Sequence, residues 1–189
     1  ENKNIIGYDR DIIAAIAEEI GMKSEFRNIA WDGIFASLES GQANVIASCV
    51  TITDKRKKAY VFSDPYYEVH QAVVVAKDSA IKKPEDLKGK KVGVQIGTTA
   101  IEALRKMNVD IDLRTYDEVG LVFEDMRNGR LDVVVCDDPV ARYYASRKEG
   151  YKDLMKVAFL TEDVEYIGFV FSKDNAELAA QVNKGLKAI

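Results

Sequence analysis

Apolar residues recur along the first part of this chain at helical spacing. Ile12, Ile13, Ile16, Ala17 and Ile20 share one face of a stretch from about Asp9 to Ile20, and Gly21 supplies its stop. Asp9 is placed to cap that helix at its N-terminus. Trp31, Ile34, Phe35 and Leu38 repeat at i, i+3, i+4 and i+7, which predicts a second helix over 31–38, closed by Gly41. Strands are expected at 23–27 and, as a short buried run, at 44–47. The second half repeats the alternation: strand 91–95, helix 99–107, strand 111–115, helix 118–127, strand 132–136 and a helix from 140 to about 148. Strands alternating with helices imply an α/β class with mostly parallel sheets covered on both faces.

The chain also echoes itself. Shifted by 88 residues, Ile34-Phe35 falls on Val122-Phe123, Leu38 on Met126, Gly41 on Gly129, Asn44 on Asp132 and Val45-Ile46 on Val133-Val134. Two lobes on one plan are implied. Between them the extended run 67–77 is suited to cross from one lobe to the other, and 164–171 is suited to return. The expected organisation is lobe one at 1–67 with 169–189 returning to it, lobe two at 72–164, and hinge crossings near 68–71 and 165–168. Two ordered crossings form a hinge that permits closure about a ligand.

Composition narrows the function classes. The formal charge is -4 and the pI about 5.2, and the basic runs 55–58 and 88–91 are short, so nucleic acid is not an expected partner. No apolar run reaches the roughly 20 residues that span a bilayer. With two cysteines, no Cys-x-x-Cys and a single histidine, neither a disulfide framework nor a metal site is expected. Cys49 and Cys136 are expected as buried thiols. The 95–99 segment opens a helix after a Gly turn but has neither the Walker pattern nor Gly-x-Gly-x-x-Gly, so no nucleotide or other cofactor is expected.

In open α/β sheets ligands sit beyond the carboxyl ends of strands. After residue 47 come Ser48, Cys49 and Thr51, whose small side chains expose backbone N–H groups, and then Arg56, a planar fork for a carboxylate. The competing view makes Thr53 an N-cap and Arg56 part of a solvated basic run. After residue 95 come Gly97, Thr98 and Thr99 at a helix N-terminus that favours an anion. After residue 136, Asp137 is the better contact for an ammonium group and Asp138, ahead of Pro139, the better helix cap. An arginine, a set of hydroxyls and an aspartate together form a receiver for a zwitterion.

Gly7-Tyr8-Asp9-Arg10-Asp11-Ile12, Thr51-Ile52-Thr53-Asp54-Lys55-Arg56, Phe62-Ser63-Asp64-Pro65-Tyr66-Tyr67, the run from Asp86 to Gln95 and Gly97-Thr98-Thr99 together resemble the polar amino-acid branch of the family 3 bacterial solute-binding proteins, the receptors of ABC importers. The resemblance implies a type II periplasmic-binding-protein-like fold, two α/β lobes closing on one free polar L-amino acid such as arginine or glutamine. It also implies a membrane ABC permease as partner, a monomer, no catalysis, and a periplasmic or otherwise extracytoplasmic site that includes the cell-surface lipoprotein. It assigns Arg56 to the ligand α-carboxylate, with Thr51, Ser48 and the backbone around Cys49 assisting and Thr98 and Thr99 completing the grip. Asp137 is assigned the α-ammonium, Trp31 ring packing on the ligand, and Gln95 side-chain selectivity. Relatives begin with a further strand and end with a longer tail, both outside the pattern seen here. Asp9 matches an acid that approaches basic ligands in some relatives. His70, Tyr66-Tyr67 and Tyr143-Tyr144 read as packing. Two rivals share the scaffold: a ligand-sensing receptor domain, and an enzyme resembling cyclohexadienyl dehydratase, for which Glu165 or His70 would be the acid or base.

Overall fold

The computed structural model describes residues 5–189. In chain order its elements are α1 (Tyr8–Glu19), a 3-10 turn at Trp31–Gly33, α2 (Ile34–Glu39), α3 (Asp54–Lys57), β1 (Val61–Phe62), β2 (Tyr67–Val69), β3 (Gln71–Ala76) and a 3-10 turn at Pro84–Leu87. There follow β4 (Lys91–Gln95), α4 (Ala100–Met107), β5 (Asp112–Tyr116), α5 (Val119–Arg127), β6 (Val133–Asp137), α6 (Asp138–Ser146) and β7 (Met155–Leu160). The chain closes with β8 (Glu165–Ile167), β9 (Val170–Phe171), a 3-10 turn at Lys173–Asn175 and α7 (Ala176–Ala188). The described chain divides into two units: residues through Glu68 with Glu165–Ile189, and Val69–Val164.

In the first unit, Ile13 and Ile16 of α1 pack with Ala179 and Val182 of α7 around Phe169 and Phe171. The helices cross closely because residue 185 is glycine: a Cβ there would lie 2.8 Å from Ile16 Cγ2. Val170, between the two phenylalanines, faces the opposite way and joins Ile34, Leu38, Ile46 and Val50, as the period-2 alternation of a strand requires. Two strand expectations are corrected here. No residue of 23–27 lies in a strand, and 44–47 reduces to a single bridge from Ile46 to Val170. The reason is that apolar pattern does not make a strand without a neighbour to take its N–H and C=O groups, and among the described residues 23–27 has no ladder. The cap of α1 is also corrected: Gly7 occupies it without a side-chain bond, and Asp9 lies one residue inside the helix.

The second unit is built on a five-stranded sheet of order β5-β4-β6-β3-β7. It is mixed: β4 pairs β5 and β6 in parallel, whereas β3 pairs β6 and β7 antiparallel. Only the βαβ repeats of β4, β5 and β6, linked by crossover helices, meet the parallel expectation. Both faces are buried, which explains the unbroken apolar run in β3. Ala72 and Val74 face α5 and α6 with Val134 and Cys136, while Val73 and Val75 face Leu104 of α4 with Val133 and Val135. Gly93 lets α5 sit down on β4, since a Cβ there would lie 2.6 Å from Val122 Cγ1.

The 88-residue echo has a backbone counterpart. Gly41 and Gly129 adopt φ of 72° and 71°, the left-handed region open to glycine at no steric cost. Ser40 N–H bonds the Ala36 carbonyl and Asn128 N–H that of Glu124, each at 3.0 Å, and both glycine N–H groups reach back to Leu38 or Met126.

Candidate functional site

Within the first unit, five expected residues fall close along the chain: Trp31 on the 3-10 turn before α2, Ser48, Cys49 and Thr51 on the segment leading into α3, and Arg56 in α3 itself. Thr53 caps α3, accepting the Arg56 backbone N–H at 3.2 Å. The two competing views of this loop therefore combine, because that cap turns the Arg56 side chain back over the loop, where Nη1 donates to the Thr51 carbonyl at 2.8 Å. The guanidinium lies over the rings of Trp31 and Phe35, with its carbon 5.8 Å and 5.5 Å from the centroids. Cation–π contact and a backbone anchor hold the fork in one orientation, which reduces the ordering cost of binding. Arg56 is thus a half-buried, positioned cation and not one more member of the exposed run around it.

Two acids flank this group. Thr51 Oγ1 donates to Glu165 Oε2 at 3.0 Å. The Cys49 backbone N–H donates to Asp9 Oδ2, and Cys49 Sγ lies 3.9 Å from Asp9 Oδ1. Cys49 holds φ of 50°, a conformation uncommon outside glycine that the Asp9 contact helps to maintain. The Tyr66 hydroxyl is driven up by burial first, then by the Asp9 carboxylate and by Cys49, so it stays protonated. Cys49 is half-exposed, against the expectation of a buried thiol; Cys136 is buried, and neither is in a disulfide. Ser48 is exposed on a bend beside this cluster.

Within the second unit, Thr99 and Asp137 come together. Gln71 Nε2 donates to Asp137 Oδ1 at 2.6 Å and to Thr99 Oγ1 at 3.3 Å. The register explains why: Gln71 and Asp137 are Cα partners on β3 and β6. Thr98 uses its hydroxyl to close the turn onto the Gln95 carbonyl at 2.8 Å, where Gly97 takes φ of 73°. Thr99 occupies the cap of α4 without a side-chain cap bond, so the first-turn N–H groups of α4 are not closed off by it. Gln95 does not join Thr99 and Asp137 by any side-chain bond described; its Nε2 is engaged by the Asp117 carbonyl at 2.9 Å.

Asp138 is corrected as a cap: it is the first residue of α6. Its carboxylate accepts the His70 N–H at 3.1 Å and Arg142 Nε at 2.9 Å. His70 is tied through Nδ1 to the Thr161 carbonyl at 2.8 Å, a packing role. Burial, followed by Asp137 and Asp138, pushes the Cys136 thiol well up, which leaves it without nucleophilic character. The sequence pattern did not single out Gln71, because a polar residue at the head of an apolar strand carries no signal until its cross-strand partner is known. Among the described residues no cluster of His, Cys, Asp and Glu could hold a metal ion, and no helix is long and apolar enough to cross a membrane.

Comparison with known proteins adds four findings. The model of the bacterial extracellular solute-binding proteins, family 3, matches residues 1–189. The chain is 33% identical over 189 residues to a probable histidine-binding protein of Neisseria gonorrhoeae, covering 98% of this chain and 70% of that protein. Among solved structures it is similar to an ancestral arginine-binding protein bound to glutamine, with a TM-score of 0.91, 39% identity, and coverage of 100% of this chain and 83% of that one. It is also similar to an ancestral amino acid-binding protein described as a precursor of cyclohexadienyl dehydratase, with a TM-score of 0.88, 38% identity, and coverage of 100% and 81%.

Proposed function

This chain belongs to family 3 of the bacterial extracellular solute-binding proteins, and from that premise we propose that it binds a free polar L-amino acid, arginine first among the candidates, for delivery to an ABC permease. The observation that carries the reading is the anchored guanidinium of Arg56, fastened to the Thr51 carbonyl beside two aromatic rings. A carboxylate docking on that fork gains charge-assisted bonds without first ordering the side chain. Asp137 supplies the opposite charge for the α-ammonium. Asp9 and Glu165, each one hydrogen bond from the segment that leads into α3 and Arg56, favour a cationic ligand side chain, which is why arginine leads. The ancestral arginine binder bound to glutamine keeps glutamine in the set. The protein acts outside the cytoplasm as a monomer.

Calorimetric titration of the protein with L-arginine, L-glutamine, L-histidine and L-cystine tests this. The expected result is micromolar affinity for at least one, corresponding to about 8 kcal/mol. Asp137→Ala weakens it at least roughly 10-fold, the equivalent of one charge-assisted bond. No heat from any of the four, or an unchanged constant in the variant, counts against the reading.

A second reading rests on the likeness to the dehydratase precursor and on Glu165, a carboxylate already bonded to Thr51 near Arg56. On this reading Glu165 serves as an acid or base toward a cyclohexadienyl substrate. Turnover that is abolished by Glu165→Gln would replace the binding function; an absence of turnover beside amino-acid binding leaves the transport role.

A further inference from the structure

Gln71 opens β3 with only 1% of its surface exposed. A side chain so buried costs stability unless hydrogen bonds offset its desolvation. Its amide donates to Asp137 and to Thr99, two of the four residues of the second unit assigned to the ligand, while its backbone N–H is taken by Thr161 Oγ1 at 3.1 Å. We propose that Gln71 is a positioning residue: its amide sets the plane of the Asp137 carboxylate and the rotamer of Thr99 before the ligand arrives. A carboxylate held through Oδ1 by a donor that is itself fixed in a sheet has the direction of Oδ2 set as well. The Thr99 hydroxyl accepts from the same amide at 3.3 Å, so the same donor fixes where its oxygen sits at the head of α4. One rigid residue on β3 thereby couples the sites for the two ends of a zwitterion. The inference rests on the proposed function for the identity of the ligand and on geometry alone for the coupling.

Two measurements test it. In the ligand-free protein, the Gln71 side-chain amide protons are expected to be split more widely in NMR spectra than those of an exposed glutamine, and Asp137→Ala is expected to narrow the splitting toward the exposed value. An amide resonance that ignores that substitution overturns the proposal whether or not any amino acid binds. The second measurement is the pH profile of L-arginine affinity in Gln71→Glu. Near pH 7.5 the introduced carboxylate repels Asp137 and cannot donate, so affinity is expected to fall about 10- to 100-fold. Toward pH 5 the introduced group gains a proton, can donate again, and affinity recovers relative to the parent. The titratable groups nearest this pair are His70 before Gln71, and Cys136 and Asp138 on either side of Asp137; taking the ratio to the parent at each pH removes their contribution. A flat ratio identifies a merely structural glutamine and overturns the proposal. If the parent takes up none of the amino acids, the transport reading fails, and the amide resonance still decides on the positioning.

Discussion

Replacing Arg56 by alanine is expected to weaken amino-acid binding about 100-fold, with little change in the cooperativity of unfolding. Two charge-assisted hydrogen bonds at about 1.5 kcal/mol each come to about 3 kcal/mol, and about 1.4 kcal/mol is a factor of 10. Arg56→Lys separates charge from shape. It keeps the positive charge but loses the fork that can bind a carboxylate in bidentate fashion while another N–H holds the Thr51 carbonyl. The lysine variant should therefore recover less than half of the lost binding energy. Calorimetry on both variants, with urea denaturation alongside, reads the result. Parent-like affinity in the alanine variant would sink the assignment of Arg56 to the ligand carboxylate, and a large loss of stability would reassign Arg56 to holding the loop.

The largest expected effect on stability comes from Phe123→Ala, a loss of about 3–5 kcal/mol. Phe123 is fully buried on α5 and stacks on Tyr144 of α6, with centroids 3.7 Å apart and planes 6° from parallel. Its truncation removes the contact that fastens both helices to one face of the five-stranded sheet, and the neighbours cannot close the gap without moving α6. Asp137 continues β6 on the opposite face, in phase with Val133 and Val135, and is tied to this core only as the residue immediately before α6. Equilibrium urea denaturation should show a lower midpoint, and amino-acid affinity should weaken with it. A loss below about 1 kcal/mol would mean that the site collapses freely and that Phe123 is not the keystone of that core.

Much of this fold is legible because its signals are local. Ile13 and Ile16, Ile34 and Leu38, and Val122, Phe123 and Met126 are buried where helical spacing puts them, and glycine supplies the left-handed stops at residues 41 and 129. The boundaries shift by a residue or two, as at α6, which begins at Asp138 because Pro139 suits the first turn of a helix. The failures are all matters of partnership. Residues 23–27 have the right composition for a strand and, among the described residues, no strand to pair with. Asp9 has the right chemistry for a cap, but its carboxylate goes to the Cys49 N–H instead. Asp138 likewise leaves capping for His70 and Arg142.

What the sequence determined by itself was the class of fold and the family through its ordered motifs, because each depends on residue type and short-range spacing. What only the tertiary structure decided was which polar groups meet: that Arg56 is anchored on the Thr51 carbonyl, that Glu165 bonds a threonine 114 residues away, and that Gln71 joins Thr99 to Asp137. Those contacts arise from cross-strand register and long-range return of the chain, and hydrogen bonds between residues far apart leave no period in a sequence to read.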